Sequence, residues 1–419
     1  MSNPPLFTDP GAVSVRALPI LGEQKDIVYQ GTSARRVLNS PETTGMGFWS
    51  INPSTGCAFG CAYCYARYAH RYFVERSASA GALSGAVREA VDAMPPWLAF
   101  ERRIFVKHNA AESLRRELVH GGARHRGLFE GEAIVIGTAT DPYQPAERRY
   151  RITRGVLEVL AEHAGLHVTL ITKSPLITRD IDVLSRLMRR SSLSVHLSLI
   201  TLDRELARRL EPRAPTPEAR LRALARLREA GIDAGINCMP VLPGITDDPF
   251  ALEALVRRVA EAGATYVSAC ALRLQPAARE RYLPFIEREF PHLAERYRST
   301  YATSSNARES YREGLARFFA RVCRRYGVQN GWATEEEESA DASPPVAHVE
   351  EQLTLALESS EAIPEGGRFG VMGVGCRSGE SGTPEPEAPS RSPANRPTRR
   401  PATPDLPPVS PISNSPGSR

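Results

Sequence analysis

Lysine is nearly missing from this chain. Of 53 lysines and arginines only Lys25, Lys107 and Lys173 are lysine. With abundant alanine and proline, that bias reads as a coding background, so arginine density alone is no functional signal. Cysteine is scarce too, seven in 419 residues, and no secretory pattern opens the sequence. A disulfide framework is therefore not expected, and a reducing cytoplasm is. Apolar runs stay below the ~18 residues that cross a bilayer, so no membrane partner is expected. No second cysteine cluster follows the first, which excludes a chain of auxiliary redox centres.

What is present is concentrated. Three of the seven cysteines fall in Gly56-Cys57-Ala58-Phe59-Gly60-Cys61-Ala62-Tyr63-Cys64-Tyr65, spaced C-x3-C-x2-C, after the short apolar run Gly47-Phe48-Trp49. Three thiolates this close can take three corners of a cubic iron–sulfur cluster and leave the fourth iron open. A cluster that only carries electrons normally has four protein ligands. The next cysteine, Cys238, is far downstream, so an open iron implies a second ligand, for which the methionine end of S-adenosylmethionine is the candidate. Three cysteines with a distant histidine also suit a structural zinc, and a plain electron-transfer protein is a further alternative.

The motif resembles the signature of the radical SAM superfamily, C-x3-C-x-aromatic-C, with Tyr63 in the aromatic place. Tyr65, directly after the last cysteine, makes the branch around spore photoproduct lyase the closer resemblance. The resemblance covers roughly residues 45–275. It implies a 4Fe–4S cluster on Cys57, Cys61 and Cys64, S-adenosylmethionine as second cofactor, and an external one-electron reductant of flavodoxin or ferredoxin type. Tyr65 would relay a hydrogen or shield the site.

Further along, short apolar strands alternate with helical patterns. The strands are Arg103–Lys107, Ala133–Gly137, His167–Thr172, Leu193–Ser198, Ala234–Met239 and Tyr266–Leu272. The helices between them are expected near 111–120, 154–163, 181–190, 219–230 and 249–262. This alternation predicts an α/β fold with a parallel sheet and right-handed crossovers. Polar residues gather at the strand ends: Asn109, Thr140-Asp141, Lys173, Ser198 and Asn237. Convergence there favours a barrel-like sheet with its site at the C-terminal ends. The resemblance implies the same, an open partial (β/α)6-type TIM-like barrel with the cysteine loop after strand one.

Residue roles follow from both readings. Thr140 and Asp141 match a Thr/Ser-Asp pair in the lyase-like proteins and would accept from the methionine ammonium; Asp141 is also a catalytic candidate. Lys173 ends a strand after an apolar run, where an unpaired buried cation is costly. Its compact charge suits the methionine carboxylate. Ser198 would reach the ribose or the methionine. Asn237 and the turn Pro240–Asp247 would bring backbone against the adenosine. Glu211-Pro212-Arg213 reads equally as a buried pair in the site or an exposed turn. The lyases carry a cysteine as hydrogen donor near the third strand's end. Gly137-Thr138-Ala139 stands there in this chain, a departure that touches photoproduct repair but not cofactor binding.

Four segments are expected: an irregular extension over 1–46, the barrel over 47–275, a helical segment over 276–334 and a disordered tail over 335–419. The tail has 14 acidic residues against 7 arginines and 14 of the 34 prolines, a composition that cannot bury enough apolar surface to order itself. Without it the body carries a net charge of about +12, which suits a polyanionic partner such as nucleic acid. Within the tail, Gln352-Leu353-Thr354-Leu355-Ala356-Leu357 resembles the Gln-Leu-x-Leu peptides that dock on the bacterial sliding clamp.

Overall fold

A computed structural model of the chain describes residues 20–24, 26–79 and 84–331. The tail, its Gln352–Leu357 segment and Cys376 lie outside the described residues.

Twelve strands are described. They are β1 (Ile20–Gln24), β2 (Ile27–Thr32), β3 (Leu38–Asn39), β4 (Trp49–Ile51), β5 (Ser54–Thr55), β6 (Arg103–Lys107), β7 (Ala133–Ile136), β8 (His167–Thr172), β9 (Ser192–Ser198), β10 (Asp233–Val241), β11 (Tyr266–Ala271) and β12 (Gln329–Asn330). Eight form the main sheet in the order β12-β11-β10-β9-β8-β7-β4-β3. All its pairings are parallel except β3 with β4. Its two ends, β12 and β3, do not meet. The result is an open, partial (β/α)6-type barrel in which β4 and β7 to β11 are the six principal parallel strands.

The middle strands are apolar runs because both faces are covered. Ile134, Val135 and Ile136 are fully buried, as are Leu170, Val195, Leu197, Ile236 and Val267. The covering helices have sequence-encoded starts. Thr216, Asp203 and Asp248 each accept a backbone N–H from the first turn that follows, and prolines occupy the first helical position after Thr216 and Asp248. Such caps contribute about 1 kcal/mol each. The helices Ala110–His120, Ile152–Leu160, Ile181–Met188, Pro217–Glu229 and Pro249–Glu261 fall where the periodicity put them.

Two expectations change. Arg103–Lys107 is a strand but not a barrel strand: it joins a second sheet, in the order β1-β2-β6-β5. There it pairs parallel with β2 and antiparallel with β5. The reason is a small core of its own, in which Phe105 packs with Val74, Val87, Val91 and Ala99. Part of the N-terminal stretch expected to be irregular supplies β1, β2 and β3. Ile27 and Tyr29 are buried, and β2 finds its partner, β6, some seventy residues away.

His70 seals this region. It is 1% exposed, and its Nε2 donates to the Arg103 carbonyl at 2.8 Å. Its ring lies 5.6 Å from that of Phe105. Burial pulls its pKa down to about 4, whereas an unfolded imidazole titrates near 6.5. Between those values the unfolded chain holds a proton that the folded chain refuses. The contribution is whole above pH ~6.5 and is lost as pH falls toward 4, about 3 kcal/mol in all. Urea unfolding across that window should show His70→Gln with a visibly flatter loss than the parent; an unchanged slope would assign the effect elsewhere.

Candidate active site

The cysteine loop follows β4 and the short β5 and is fastened at many points. Gly56 has φ +92°, and a Cβ there would come within 2.8 Å of the Phe100 carbonyl, to which Cys57 donates its N–H. Gly60 has φ +65°, and a Cβ would come within 2.7 Å of the Glu101 carboxylate. Both positions therefore need glycine. The loop presses backbone against buried charge, and the side-chain-free residues let it.

One side of the loop is held by the segment after β7. Asn52 donates to Thr138 Oγ1 at 3.0 Å and accepts from the Ala139 N–H at 2.8 Å. Thr140 donates to the Gly56 carbonyl at 2.6 Å. The Gln144 amide donates to Ser54, Gly56 and Thr140 and accepts the Ala58 N–H at 3.0 Å. The Tyr65 hydroxyl donates to the Thr138 carbonyl at 2.5 Å while its ring stays 44% exposed. Thr140 is thus committed to the loop.

The back is held by ions. Arg67 donates to the Cys61 carbonyl at 2.7 Å and pairs with Glu101 at 2.9 Å. Arg213 donates to the Ala58 carbonyl and pairs with Glu101 at 2.6 Å. A second buried group lies toward β8. Glu211 accepts from the Tyr63 hydroxyl and from Arg220, and Lys173 Nζ lies 3.8 Å from it. Arg220 also donates to the Ser198 carbonyl at 2.9 Å, tying the end of β9 into the group. Lys173 Nζ sits 5.8 Å from the centre of the Tyr63 ring. Burial pushes the Glu211 carboxyl up, but Arg220 and Lys173 outweigh it and hold it below its usual value. Burial works against the Lys173 charge, and Glu211 and then Cys61 overcome it and push its pKa up. Within the Glu211-Pro212-Arg213 turn Glu211 is buried in the site, whereas Pro212 and Arg213 are exposed and Arg213 reaches back to Glu101.

Asp141 pins the end of β8 to the segment after β7. Its carboxylate accepts from Thr172 Oγ1 at 2.7 Å, the Lys173 N–H at 2.7 Å and the Tyr143 N–H at 2.9 Å. Burial nonetheless pushes its pKa up. A carboxylate has about four acceptor positions, so one remains. Ser198 and Asn237 are paired neighbours across β9 and β10, and both are buried. The Asn237 carbonyl oxygen bonds to His196 Nδ1 at 3.1 Å. The turn after β10 faces the C-terminal helices: Tyr297 donates to the Pro243 carbonyl at 2.8 Å and Tyr311 to Asp247 at 3.0 Å.

The three thiols are the metal-ligating donors that the loop brings together in sequence. Cys57 and Cys61 are buried and Cys64 is half-buried. Burial lifts the Cys57 thiol to about 12, with Asp141 and Cys64 adding to it, and Cys61 is lifted by burial, Glu211 and both other thiols. Such thiols stay protonated alone and give up their protons to a bound cation. Among the described residues no group of three or more His, Cys, Asp or Glu side chains that could hold a metal ion is found. Cys238 is fully buried against Cys323, as core filler.

The loop, Thr140, Asp141, Lys173 and Ser198 were readable in sequence. Gln144, Glu101, Arg67 and Arg220 were not. Their roles come from partners brought together only by folding, and the one local signal is that Gln144 stands in a proline-bounded loop after a strand.

Comparisons with known proteins bear on the family and the fold. A family model described as the radical SAM superfamily matches residues 51–254. An uncharacterised protein of Mycobacterium tuberculosis is 31% identical over 322 residues, covering 76% of this chain and 87% of the relative. One from Methanocaldococcus jannaschii is 25% identical over 214 residues, covering 51% and 68%. Among solved structures, a spore photoproduct lyase mutant with bound AdoMet and dinucleoside spore photoproduct aligns with a TM-score of 0.50 at 14% identity, covering 75% of this chain and 85% of that one. The same lyase complexed with dinucleoside spore photoproduct gives a TM-score of 0.50 at 13% identity, covering 71% and 79%. At these identities the structural likeness is one of fold.

Proposed function

The chain belongs to the radical SAM superfamily, and from that premise we propose that Cys57, Cys61 and Cys64 hold a 4Fe–4S cluster at which S-adenosylmethionine is bound and reductively cleaved. The bound cofactors supply the chemistry, one electron splitting the sulfonium C–S bond to give methionine and a 5′-deoxyadenosyl radical that takes hydrogen from substrate. The observation that carries this reading is the loop itself, three neighbouring thiols locked at both sides by the residues described above.

The protein's own residues bind and orient. Lys173, kept charged by Glu211 and aimed past the Tyr63 ring, is the partner for the methionine carboxylate. Asp141 offers its remaining acceptor position to the methionine ammonium. Thr140 serves by holding the loop rather than by touching methionine. Ser198 and Asn237 line the adenosine side with the backbone of the Pro240–Asp247 turn. Tyr65, half-exposed beside Cys64, shields the site or passes a hydrogen. Lys173→Ala should weaken S-adenosylmethionine binding to the reconstituted protein by roughly tenfold or more, the worth of a charge-assisted contact. Equilibrium binding with unchanged affinity would remove Lys173 from this role.

For substrate, nucleic acid is the reading best supported. The body is basic, and Tyr65 in the cysteine loop is 44% exposed, with Tyr68 and Tyr72 exposed by 41% and 60% on the helix Arg67–Ser79 that follows. Exposed aromatic rings give bases a surface to stack on. The electron comes from an external one-electron donor of flavodoxin or ferredoxin type. No helix among the described residues is long and apolar enough to cross a membrane, and the four-segment division of the chain, its clamp-docking peptide and its cytoplasmic location stand as part of the proposal.

A further inference from the structure

The ion group behind the cysteine loop is unbalanced. Glu101 is the one carboxylate in it, 4% exposed. Around it stand three guanidinium groups: Arg67 at 2.9 Å, Arg213 at 2.6 Å and Arg281 at 3.8 Å. No other carboxylate pairs with these three among the described residues. Their side chains are 1%, 33% and 16% exposed. Arginine stays protonated in proteins, so the group carries an excess of two positive charges, with Arg67, Arg281 and Glu101 largely out of water and Arg213 at the surface. Arg67 Nε and Arg281 Nε have no hydrogen-bond partner there. Arg281 is further walled by the rings of Trp97 and Phe285, at 4.8 and 5.6 Å.

Uncompensated buried charge is costly and is kept only where an opposite charge answers it. Arg67 and Arg213 aim at the loop, donating to the carbonyls of Cys61 and Ala58. The charge that would answer them is that of the three thiolates carried by the same loop. An electron accepted there from the external donor adds one negative charge, and a positive surrounding favours that state. Cluster potentials respond to net charge, hydrogen bonding and solvent exposure.

Resting on the ligand assignment above, we propose that Arg67, Arg213 and Arg281, gathered on Glu101, form a net-positive seat that makes the cluster easier to reduce. They are positioning and tuning residues, acting through the loop and through space.

The test is a redox titration of the reconstituted, full-length protein, read by the paramagnetic signal of the reduced cluster. Among the described residues Arg281 makes no hydrogen bond to the loop, so Arg281→Gln removes charge and leaves the loop's own anchors in place. It should lower the reduced-to-oxidised ratio at a fixed potential by roughly tenfold, or ~59 mV for one electron. Glu101→Gln removes the single negative charge and should move the midpoint the opposite way. A merely structural role would give shifts of one sign, or none. Arg213→Gln, expected to shift with Arg281→Gln, serves if either variant fails to fold. Variants with full iron content and an unmoved midpoint would overturn the proposal. A parent protein that takes up no iron would instead bring down the ligand assignment.

Discussion

Cys57→Ala protein is expected to come through anaerobic reconstitution folded but colourless, with iron and sulfide near background and no S-adenosylmethionine cleavage. The loss should be complete because the thiols are not interchangeable with anything nearby. Cys57 is buried and its N–H is fixed on the Phe100 carbonyl, so the loop cannot slide to bring up another donor. The next cysteine in sequence, Cys238, is locked in the core. Circular dichroism should be unchanged, since alanine fits any space a thiol leaves. A variant that kept its iron and still cleaved S-adenosylmethionine would remove Cys57 from the ligand set.

Glu211→Ala should be the most destabilising single change in the site. The carboxylate is 2% exposed and neutralises Arg220, itself 1% exposed, while Lys173 lies 3.8 Å away. Removing one partner of a buried pair leaves an unanswered charge and costs about 3–5 kcal/mol. Here two cations would be left facing each other beside the Tyr63 ring. Glu211→Gln keeps the acceptor for the Tyr63 hydroxyl and should recover part of the loss. Its pH sign follows from the depressed carboxyl: the contribution is whole above the unfolded value near 4.3 and is lost as pH falls through the lower folded value. Urea midpoints at neutral pH for both variants decide it. A loss within experimental error of the parent would mean that Arg220 and Lys173 find other partners.

Much of this was legible in the order of residues, and the part that was not has a common cause. The loop could be read because its chemistry is local: three cysteines within eight residues. The parallel sheet was readable because strands buried on both faces leave continuous apolar runs. The strand ends Lys173 and Ser198 were readable because polar residues terminating such runs have few places to go, whereas Asn237, expected at a strand end, lies in the middle of β10. Sequence periodicity identified Arg103–Lys107 as a strand but not its sheet. That choice rests on Phe105 meeting Val74, Val87 and Val91, and on a partner, β2, in a stretch with no clear pattern of its own. The charges behind the loop were hidden for the same reason. Glu101 and Arg213 are 112 positions apart, and Arg213 and Ala58 155. In a chain this rich in arginine, nothing local marks Arg67, Arg213, Arg220 or Arg281 as different from the arginines that cover helix surfaces.

The central claim, that these three cysteines serve reductive cleavage of S-adenosylmethionine, is met most directly by one anaerobic assay. The protein is reconstituted with iron and sulfide, reduced, given S-adenosylmethionine, and the products are separated. A brown protein that forms 5′-deoxyadenosine is the expected result. A colourless protein that holds zinc, never takes up a cluster and leaves S-adenosylmethionine intact would contradict the account.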